Sequence, residues 1–171
     1  MWNRPKPGQT QPLDKAALKA KAVRLLAARE QTRLELARKL QAFAQHPDDI
    51  ESVLDDLAHE GWQSDLRVAQ SVQRVKSVKQ GSAMIAQAMR QKGLSNELVA
   101  KALDELSATE FERARAVWHK KFGRVGLAQD PKEKARQMRF LASRGFAGDV
   151  VRRVVGGDFD DSADEIGAGD Y

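Results

Sequence analysis

The chain has 171 residues, of which 42% are hydrophobic, 31% are charged and only 6% are aromatic. This balance is typical of a globular protein in water, and the scarcity of aromatic residues and proline disfavours an all-β fold. The absence of cysteine excludes disulfides, thiolate metal sites and cysteine nucleophiles. Because no stretch has the apolar core of a signal peptide or the roughly 20 apolar residues of a membrane span, we expect a cytoplasmic protein.

Charge is unevenly distributed along the sequence. The formal net charge is +5, but residues 158–171 contain six acidic residues and no Lys or Arg. The first 157 residues therefore hold 29 basic and 18 acidic residues, a net charge of +11. Such a surplus favours a polyanionic partner, either nucleic acid or an acidic protein surface. The alternative is a solvated surface that binds nothing.

Both ends differ in composition from the middle of the chain. Residues 1–15 are rich in Pro, Gly and Gln, and residues 158–171 are rich in Gly and acidic residues. Neither segment can bury enough apolar surface to offset the entropy lost on ordering. We therefore expect a flexible N-terminal segment and an acidic, disordered tail.

Between the ends, apolar residues recur at helical spacing, and no alternating strand pattern appears. The first three such segments contain Leu18, Ala22, Leu25 and Leu26, then Leu36, Leu40 and Phe43, then Ile50, Val53, Leu54 and Leu57. Local signals mark the helix ends. Thr32 with Glu35 is a capping-box pair, Asp130 before Pro131 and Glu133 is an N-terminal signature, and Pro47 and Ser95 are further helix starts. Gly61, Gly93 and Gly145 each follow an apolar stretch, where a left-handed residue ends a helix.

The apolar pattern repeats along the chain. Shifts of 49 and then 52 residues align equivalent apolar positions in three segments: Leu40, Met89 and Leu141; Ile50, Val99 and Val151; Leu54, Leu103 and Val155. A period near 50 residues suits units of three short helices that stack to bury a continuous core. We predict an all-α fold, an elongated and curved array of three-helix repeats over residues 16–65, 66–110 and 111–157. The alternative is a chance alignment of amphipathic helices.

Residues suited to catalysis or metal binding are few. His46, His59 and His119 stand apart in the sequence, and no zinc-protease, nucleophile-elbow, phosphate-loop or dinucleotide motif is present. The acidic run from Asp48 to Asp56 lacks the glycine and the alternating ligands of a calcium loop, and we interpret it as the solvated face of a helix. We therefore expect a binding protein, not an enzyme, with no metal and no cofactor.

Basic residues are the candidates for function. Placed on one face of the array, they would contact phosphates or carboxylates without reading bases. The candidate set is Arg29, Arg33, Arg38, Lys39, Arg67, Arg74, Lys76, Lys79, Arg90, Lys92, Arg139, Arg144, Arg152 and Arg153. The alternative is an ordinary solvated helix face. Trp62 and Trp118 are either partner anchors or, as is commoner at helical positions, core residues.

Four segments, in order, resemble the RecX family. Residues 26–40 contain an Arg-Glu pair before a capped E-L-x-x-K-L helix, and residues 57–65 match an L-x-x-x-G-aromatic-x-x-D junction. Residues 81–94 match a G-x-x-x-I-x-x-x-L-x-x-K-G-hydrophobic block, and residues 140–146 match F-L-x-x-R-G-F. The chain departs from the pattern at Met89, where Leu is usual, at Arg67-Val68-Ala69, where R-F-A is commoner, and in its acidic tail.

This resemblance implies tandem three-helix repeats and a regulatory function. RecX proteins bind the helical groove of the RecA filament on DNA and restrain filament growth, and with it the recombinase, ATPase and coprotease activities of DNA repair and the SOS response. The expected partners are the RecA filament and, non-specifically, DNA, with the chain as a monomer. The alternative is a helical protein that coats DNA. The acidic tail either competes with DNA for the basic face or only solubilises the chain.

Overall fold

A computed structural model describes residues 12–158 of the chain. Within this range the regular elements are α-helices, with one isolated β-bridge between Leu13 and Ala44. The helices are α1 (Lys15–Ala28), α2 (Arg33–Leu40), α3 (Pro47–His59), α4 (Asp65–Ser77), α5 (Ser82–Gln91), α6 (Asn96–Ser107), α7 (Glu110–Phe122), α8 (Pro131–Ala142) and α9 (Gly148–Gly156). The predicted all-α fold is confirmed. Most of the segments expected to be flexible, residues 1–15 and 158–171, lie outside the described residues, but Leu13 forms a β-bridge with Ala44, Asp14 caps α1, and Lys15 is the first residue of that helix.

Helix ends lie where the local sequence signals predict them. The Thr32 hydroxyl accepts a hydrogen bond from the Glu35 backbone N–H, and the Glu35 carboxylate accepts one from the Thr32 N–H, so the capping box is complete. Asp130 caps α8 by accepting from the Glu133 N–H at 3.1 Å. Each such cap stabilises its helix by about 1 kcal/mol, because it satisfies donors that the helix leaves unpaired.

The chain forms two compact units. Unit 1 is Met1–Val72 with Met89–Val99, and unit 2 is Gln73–Ala88 with Ala100–Tyr171. The three helices α4, α5 and α6 each contribute residues to both units.

The core of unit 1 comes from the apolar stripes of α1, α2 and α3. Its buried residues are Leu18, Ala22, Leu26, Leu36, Leu40, Ile50, Val53, Leu54 and Leu57. Leu25 and Phe43, which belong to the same predicted stripes, lie at the edge of this core and are only partly buried. Before α1, the Leu13 N–H donates to the Phe43 carbonyl at 2.7 Å, which fastens the start of the helical region to the end of α2.

Also within unit 1, the N-terminus of α2 packs against the turn that follows α5. The Thr32 hydroxyl donates to the Lys92 carbonyl at 2.7 Å, and the Arg33 N–H donates to Asp65 Oδ1 at 2.9 Å. Gly93 has a φ of +78°, and a Cβ at this position would collide with the side chain of Leu34. A glycine is therefore required both by the left-handed backbone and by the close approach of α2.

Unit 2 contains an equivalent junction, in which the N-terminus of α5 packs against the turn that follows α8. The Gly81 N–H donates to the Arg144 carbonyl at 2.8 Å, and the Ala83 N–H donates to the Gly145 carbonyl at 3.2 Å. Gly145 has a φ of +81° and lies 52 residues after Gly93, at the position that the sequence repeat makes equivalent. The repeat thus preserves a backbone contact as well as an apolar stripe.

Two charged side chains, Glu110 and Arg113, form hydrogen bonds to backbone groups at the same junction in unit 2. Glu110 Oε1 accepts hydrogen bonds from the N–H groups of Ser82 at 3.1 Å and Ala147 at 3.4 Å, so one carboxylate caps the starts of α5 and α9. Arg113 donates to the Leu106 carbonyl at 3.0 Å, and its burial lowers its pKa from the usual value. In unit 1, the Asp65 carboxylate accepts a hydrogen bond from the Arg33 N–H at the start of α2, as Glu110 does at the start of α5.

The core of unit 2 comes from α7, α8 and α9. It contains Ala114, Trp118, Phe122, Leu141, Phe146, Val150, Val151, Val154 and Val155. Trp118 is buried and donates its indole N–H to Gln137 Oε1 at 2.8 Å, so the interpretation of this residue as core is confirmed. The same interpretation is wrong for Trp62, whose side chain follows α3 and is 50% exposed, because the chain turns there at Gly61 instead of continuing a buried helix.

Candidate polyanion-binding surface

The fourteen candidate basic residues divide equally between the two units. Unit 1 contains Arg29, Arg33, Arg38, Lys39, Arg67, Arg90 and Lys92, whereas unit 2 contains Arg74, Lys76, Lys79, Arg139, Arg144, Arg152 and Arg153. The two groups differ in whether carboxylates of the chain form ion pairs with them.

Two cations of unit 1 converge on Glu35 in the capping box of α2. Lys92 Nζ lies 2.8 Å from one carboxylate oxygen, and Arg29 lies 3.5 Å from the other. Burial alone would raise the pKa of Glu35, but hydrogen bonds from Lys92, the Thr32 N–H and Arg29 lower it to about 2. The carboxylate is therefore charged at neutral pH, and it neutralises cations that sequence reasoning assigned to a partner.

Two further candidates of unit 1 also form intramolecular ion pairs. Arg33 lies 2.5 Å from Glu51 and 2.8 Å from Asp55, which belong to the acidic face of α3. Arg67 lies 2.7 Å from Glu30. Glu51 and Asp55 are 66% and 71% exposed, as expected for the solvated face of a helix, and both also pair with Arg33 of α2, which the linear sequence does not reveal.

The net charge of the two units reflects this difference. The described residues of unit 1 include eleven basic and eleven acidic residues, so their net charge is zero. The described residues of unit 2 include sixteen basic and eight acidic residues, which gives +8. Among residues 12–158, the surplus of positive charge that would attract a polyanion at long range therefore lies in unit 2.

Four cations of unit 2 line a groove with a volume of about 520 Å³. The groove is lined by Val78, Lys79, Ala116, Val117, Lys120, Lys121, Phe140 and Arg144, and we call it the unit 2 groove. Lys79 and Arg144 were candidates, whereas Lys120 and Lys121 were missed by sequence reasoning. The available signal for them was a pair of adjacent lysines in the last turn of α7, next to the core residue Trp118.

The cations of the unit 2 groove are accessible to a ligand. Among residues 12–158, no carboxylate forms an ion pair with Lys79, Lys120, Lys121 or Arg144. The Arg144 guanidinium lies 3.7 Å from the centroid of the Phe140 ring, a cation–π contact, and its Nη1 donates to the Phe140 carbonyl at 3.3 Å, so its position is fixed. The groove thus combines apolar walls with four positive charges.

The remaining candidates of unit 2 lie at several positions on its surface. Arg153 packs over the Phe111 ring with its guanidinium 4.4 Å from the ring centroid. Arg74, Arg139 and Arg152 are exposed, on α4, α8 and α9 respectively, and Lys76 on α4 is half-buried. They add to the positive potential of the unit, but they do not line the groove.

The described residues contain no cluster suited to metal chemistry. Between residues 12 and 158, no group of three or more His, Asp or Glu side chains is arranged to hold a metal ion. Over the same range, no helix combines the length and the apolar character needed to cross a bilayer.

Comparison with known proteins identifies the family. Residues 19–57 match the family model for the first three-helix domain of RecX, and residues 108–155 match the model for its third three-helix domain. The regulatory protein RecX of Chromobacterium violaceum is 47% identical over 145 residues, which are 85% of this chain and 93% of the relative. The chain belongs to the RecX family. The RecX of Leptothrix cholodnii is also 47% identical, over 81% of this chain and 87% of its own length.

Solved RecX structures have the same fold. The crystal structure of RecX from Lactobacillus salivarius superposes with a TM-score of 0.72 at 21% sequence identity, covering 84% of this chain and 95% of that one. A second crystal structure of a regulatory protein RecX gives a TM-score of 0.68 at 23% identity. Glu30, Thr32 and Glu35, which belong to the first segment that resembles RecX, all form intramolecular contacts in this chain.

Proposed function

We propose that the chain is a RecA regulator that binds the RecA filament on DNA and inhibits its recombinase, ATPase and coprotease activities in DNA repair and the SOS response. The observation that carries the proposal is membership of a family of regulatory proteins, with 47% identity over 85% of the chain. We further propose that the protein acts in the cytoplasm as a monomer, without catalytic activity or cofactor.

The electrostatics of unit 2 suggest how this function is performed. A net charge of +8 on the described residues of one unit would attract the DNA backbone or an acidic protein surface over distances of about a Debye length. We propose that the contact residues are the candidates of unit 2 together with Lys120 and Lys121. The ion-paired candidates of unit 1 contribute less to this contact, because carboxylates such as Glu51, which pairs with Arg33, already neutralise them.

The test is the effect of the purified protein on DNA-dependent ATP hydrolysis by its cognate RecA. We expect substoichiometric amounts of the protein to slow hydrolysis, because a bound regulator that restrains filament growth affects many RecA subunits. A variant with Lys79→Gln and Lys120→Gln should need a several-fold higher concentration. The matched control is Arg24→Gln, which removes one exposed charge from α1 in unit 1 and should act like the wild type. Unchanged hydrolysis across a wide range of wild-type concentrations would refute the proposal.

A second candidate function is non-specific coating of DNA, and the charge of unit 2 favours it. A coating protein would bind naked DNA with a steep salt dependence, because each neutralised phosphate changes the slope of log affinity against log salt by about 0.9 for duplex DNA. Such a protein would slow RecA only at concentrations that saturate the DNA. Inhibition that disappears when DNA is in excess would therefore support coating.

A further inference from the structure

The unit 2 groove differs in charge from the groove of unit 1 and is matched to an acidic, partly apolar peptide. The unit 1 groove has a volume of about 330 Å³ and includes one cation, Arg38, and one acid, Glu51. The unit 2 groove has four cations and no acid in its lining. An anionic ligand that also carries apolar side chains would therefore select the unit 2 groove.

The walls of the unit 2 groove also present apolar surface to a ligand. Val78 is 69% exposed, which is unusual for a residue of this type, and Val117 and Phe140 are only partly buried. Covering such surface contributes about 25 cal/mol for each Å² removed from water. Charge alone would attract any polyanion, whereas this apolar component favours a peptide.

The chain itself contains a segment with these properties. Residues 159–171 (FDDSADEIGAGDY) hold five acidic residues and no basic ones, with Phe159, Ile166 and Tyr171 spaced among them. In the sequence they follow α9, which packs on both α7 and α8, the helices that supply most of the groove lining. Their charge of −5 would offset more than half of the +8 on the described residues of the unit.

The length of the segment is sufficient for it to reach the groove. Thirteen residues span up to about 43 Å when extended, whereas a unit of this size has a radius of gyration of about 12 Å. Covalent attachment also raises the local concentration of the segment to the order of millimolar, so a weak intrinsic affinity is enough for occupancy.

We propose that residues 159–171 bind in the unit 2 groove of the same molecule and compete there with external polyanions. Their carboxylates pair with Lys79, Lys120, Lys121 and Arg144, while their apolar side chains cover Val78 and Phe140. A polyanion must then displace the segment, so the chain discriminates against weakly bound polyanions. This docking does not depend on the RecA partner proposed above, and the two proposals can fail separately.

The first experiment measures docking in the full-length protein. Because the chain has no cysteine, an Ala168→Cys substitution provides a single attachment point for a nitroxide spin label. At low salt we expect the label to broaden the backbone amide signals of Val78, Val117 and Lys120 by more than about half. At high salt the same signals should recover most of their intensity, because salt screens the ion pairs. Broadening that is absent at low salt, or that does not change with salt, would overturn the proposal.

Two variants of the labelled protein test the role of charge. A variant with a neutralised segment should restore the groove signals; its substitutions are Asp160→Asn, Asp161→Asn, Asp164→Asn, Glu165→Gln and Asp170→Asn. A second variant, Lys121→Gln, removes one charge from the groove and should restore these signals in part. The matched control Arg24→Gln in unit 1 should leave the broadening intact. Groove broadening that persists in the neutralised segment would contradict charge-dependent docking.

A mixing experiment separates docking within one molecule from docking between molecules. Spin-labelled protein without ¹⁵N is combined with unlabelled ¹⁵N protein, and the groove signals are expected to remain sharp. Broadening in the mixed sample that equals the broadening within one molecule would assign the groove to a second copy of the chain and overturn the proposal.

A binding measurement tests the consequence for external polyanions. If the segment occupies the groove in about nine molecules of ten, neutralising its acids should tighten binding of a thymidine oligonucleotide about tenfold at low salt. Equal affinities of the wild-type and neutralised chains would contradict competition. An oligonucleotide that binds the wild type more tightly would also contradict it.

Discussion

Replacement of Gly81 by alanine perturbs the backbone junction of unit 2 directly. A Cβ at this position would collide with the backbone of Gly145 and Phe146, which cannot move as a flexible side chain can. The same contact includes the hydrogen bonds from the Gly81 N–H to Arg144 at 2.8 Å and from the Ala83 N–H to Gly145 at 3.2 Å. If the added Cβ pushed the start of α5 away from the turn after α8, both hydrogen bonds would weaken.

The expected destabilisation follows from these contacts. Two hydrogen bonds contribute about 1 kcal/mol each, and overpacking costs about 1–3 kcal/mol, so the free energy of unfolding should fall by about 3–5 kcal/mol. This is a large part of the ordinary stability of a domain, which is about 5–15 kcal/mol. The reporter is the fluorescence of Trp118, which is buried in the unit 2 core, followed during urea denaturation in a chain with Trp2→Phe and Trp62→Phe so that no other indole contributes.

The matched control is Gly156→Ala at the end of α9. An added Cβ meets nothing within 4 Å there, and the position lies in a helix, so we expect no loss and a gain of up to about 1 kcal/mol. If Gly81→Ala changes the free energy of unfolding by no more than the control does, the close approach of α5 to the turn after α8 is not what holds unit 2 together.

Three further results are expected. Gly93→Ala should lower the stability of unit 1 by about 2 kcal/mol or more, measured by hydrogen exchange of α2 amides, because a strained φ adds to the collision with Leu34. The pKa of Glu35 is lower in the folded chain, so its contribution of about 3 kcal/mol should be complete above about pH 4.5 and disappear as the pH falls to about 2. Lys120→Gln with Lys121→Gln should reduce the slope of log affinity for DNA against log salt by about 2.

Each of these results has its own control. Gly61 has a φ of +75° with open space around its Cβ, so Gly61→Ala isolates the cost of the left-handed backbone at about 1 kcal/mol, and an equal loss at Gly93 would argue against the collision. In Glu35→Gln, urea midpoints should vary less between about pH 6 and about pH 2.5, and an unchanged pH profile would exclude Glu35 as the titrating group. Arg24→Gln should leave the salt slope unchanged, and a slope altered as much as in the lysine variant would contradict the assignment of DNA contacts to unit 2.

Much of the fold was predictable because its signals are local. The Thr32–Glu35 capping box and the Asp130–Pro131 start depend only on neighbouring residues, and both are confirmed. Buried stripes such as that of Leu40, Met89 and Leu141 follow from helical periodicity, and all three residues are fully buried. The sequence repeat also indicated the left-handed glycines Gly93 and Gly145. It did not reveal that the N-terminus of a neighbouring helix packs against each of them.

The candidate site was less predictable because the state of a charge depends on residues distant in the sequence. In the sequence Arg33 resembles an unpaired surface cation. In the structure its guanidinium lies 2.5 Å from the carboxylate of Glu51 on α3, and nothing near Arg33 in the sequence indicates that pairing. Lys120 and Lys121 were missed for the opposite reason, since their importance comes from Lys79 and Arg144, which reach the same groove from other segments of unit 2. Composition gave the total charge, whereas only the three-dimensional structure showed that the surplus positive charge of residues 12–158 lies in unit 2.

The most direct test of the proposed regulation compares two affinities under the same salt conditions. One is the affinity of the protein for RecA filaments assembled on single-stranded DNA with an ATP analogue that RecA does not hydrolyse, and the other is its affinity for the same DNA without RecA. A RecA regulator should bind the filament at least about tenfold more tightly, a difference of about 1.4 kcal/mol. Equal affinities, or tighter binding to naked DNA, would contradict this account and identify a DNA-coating protein.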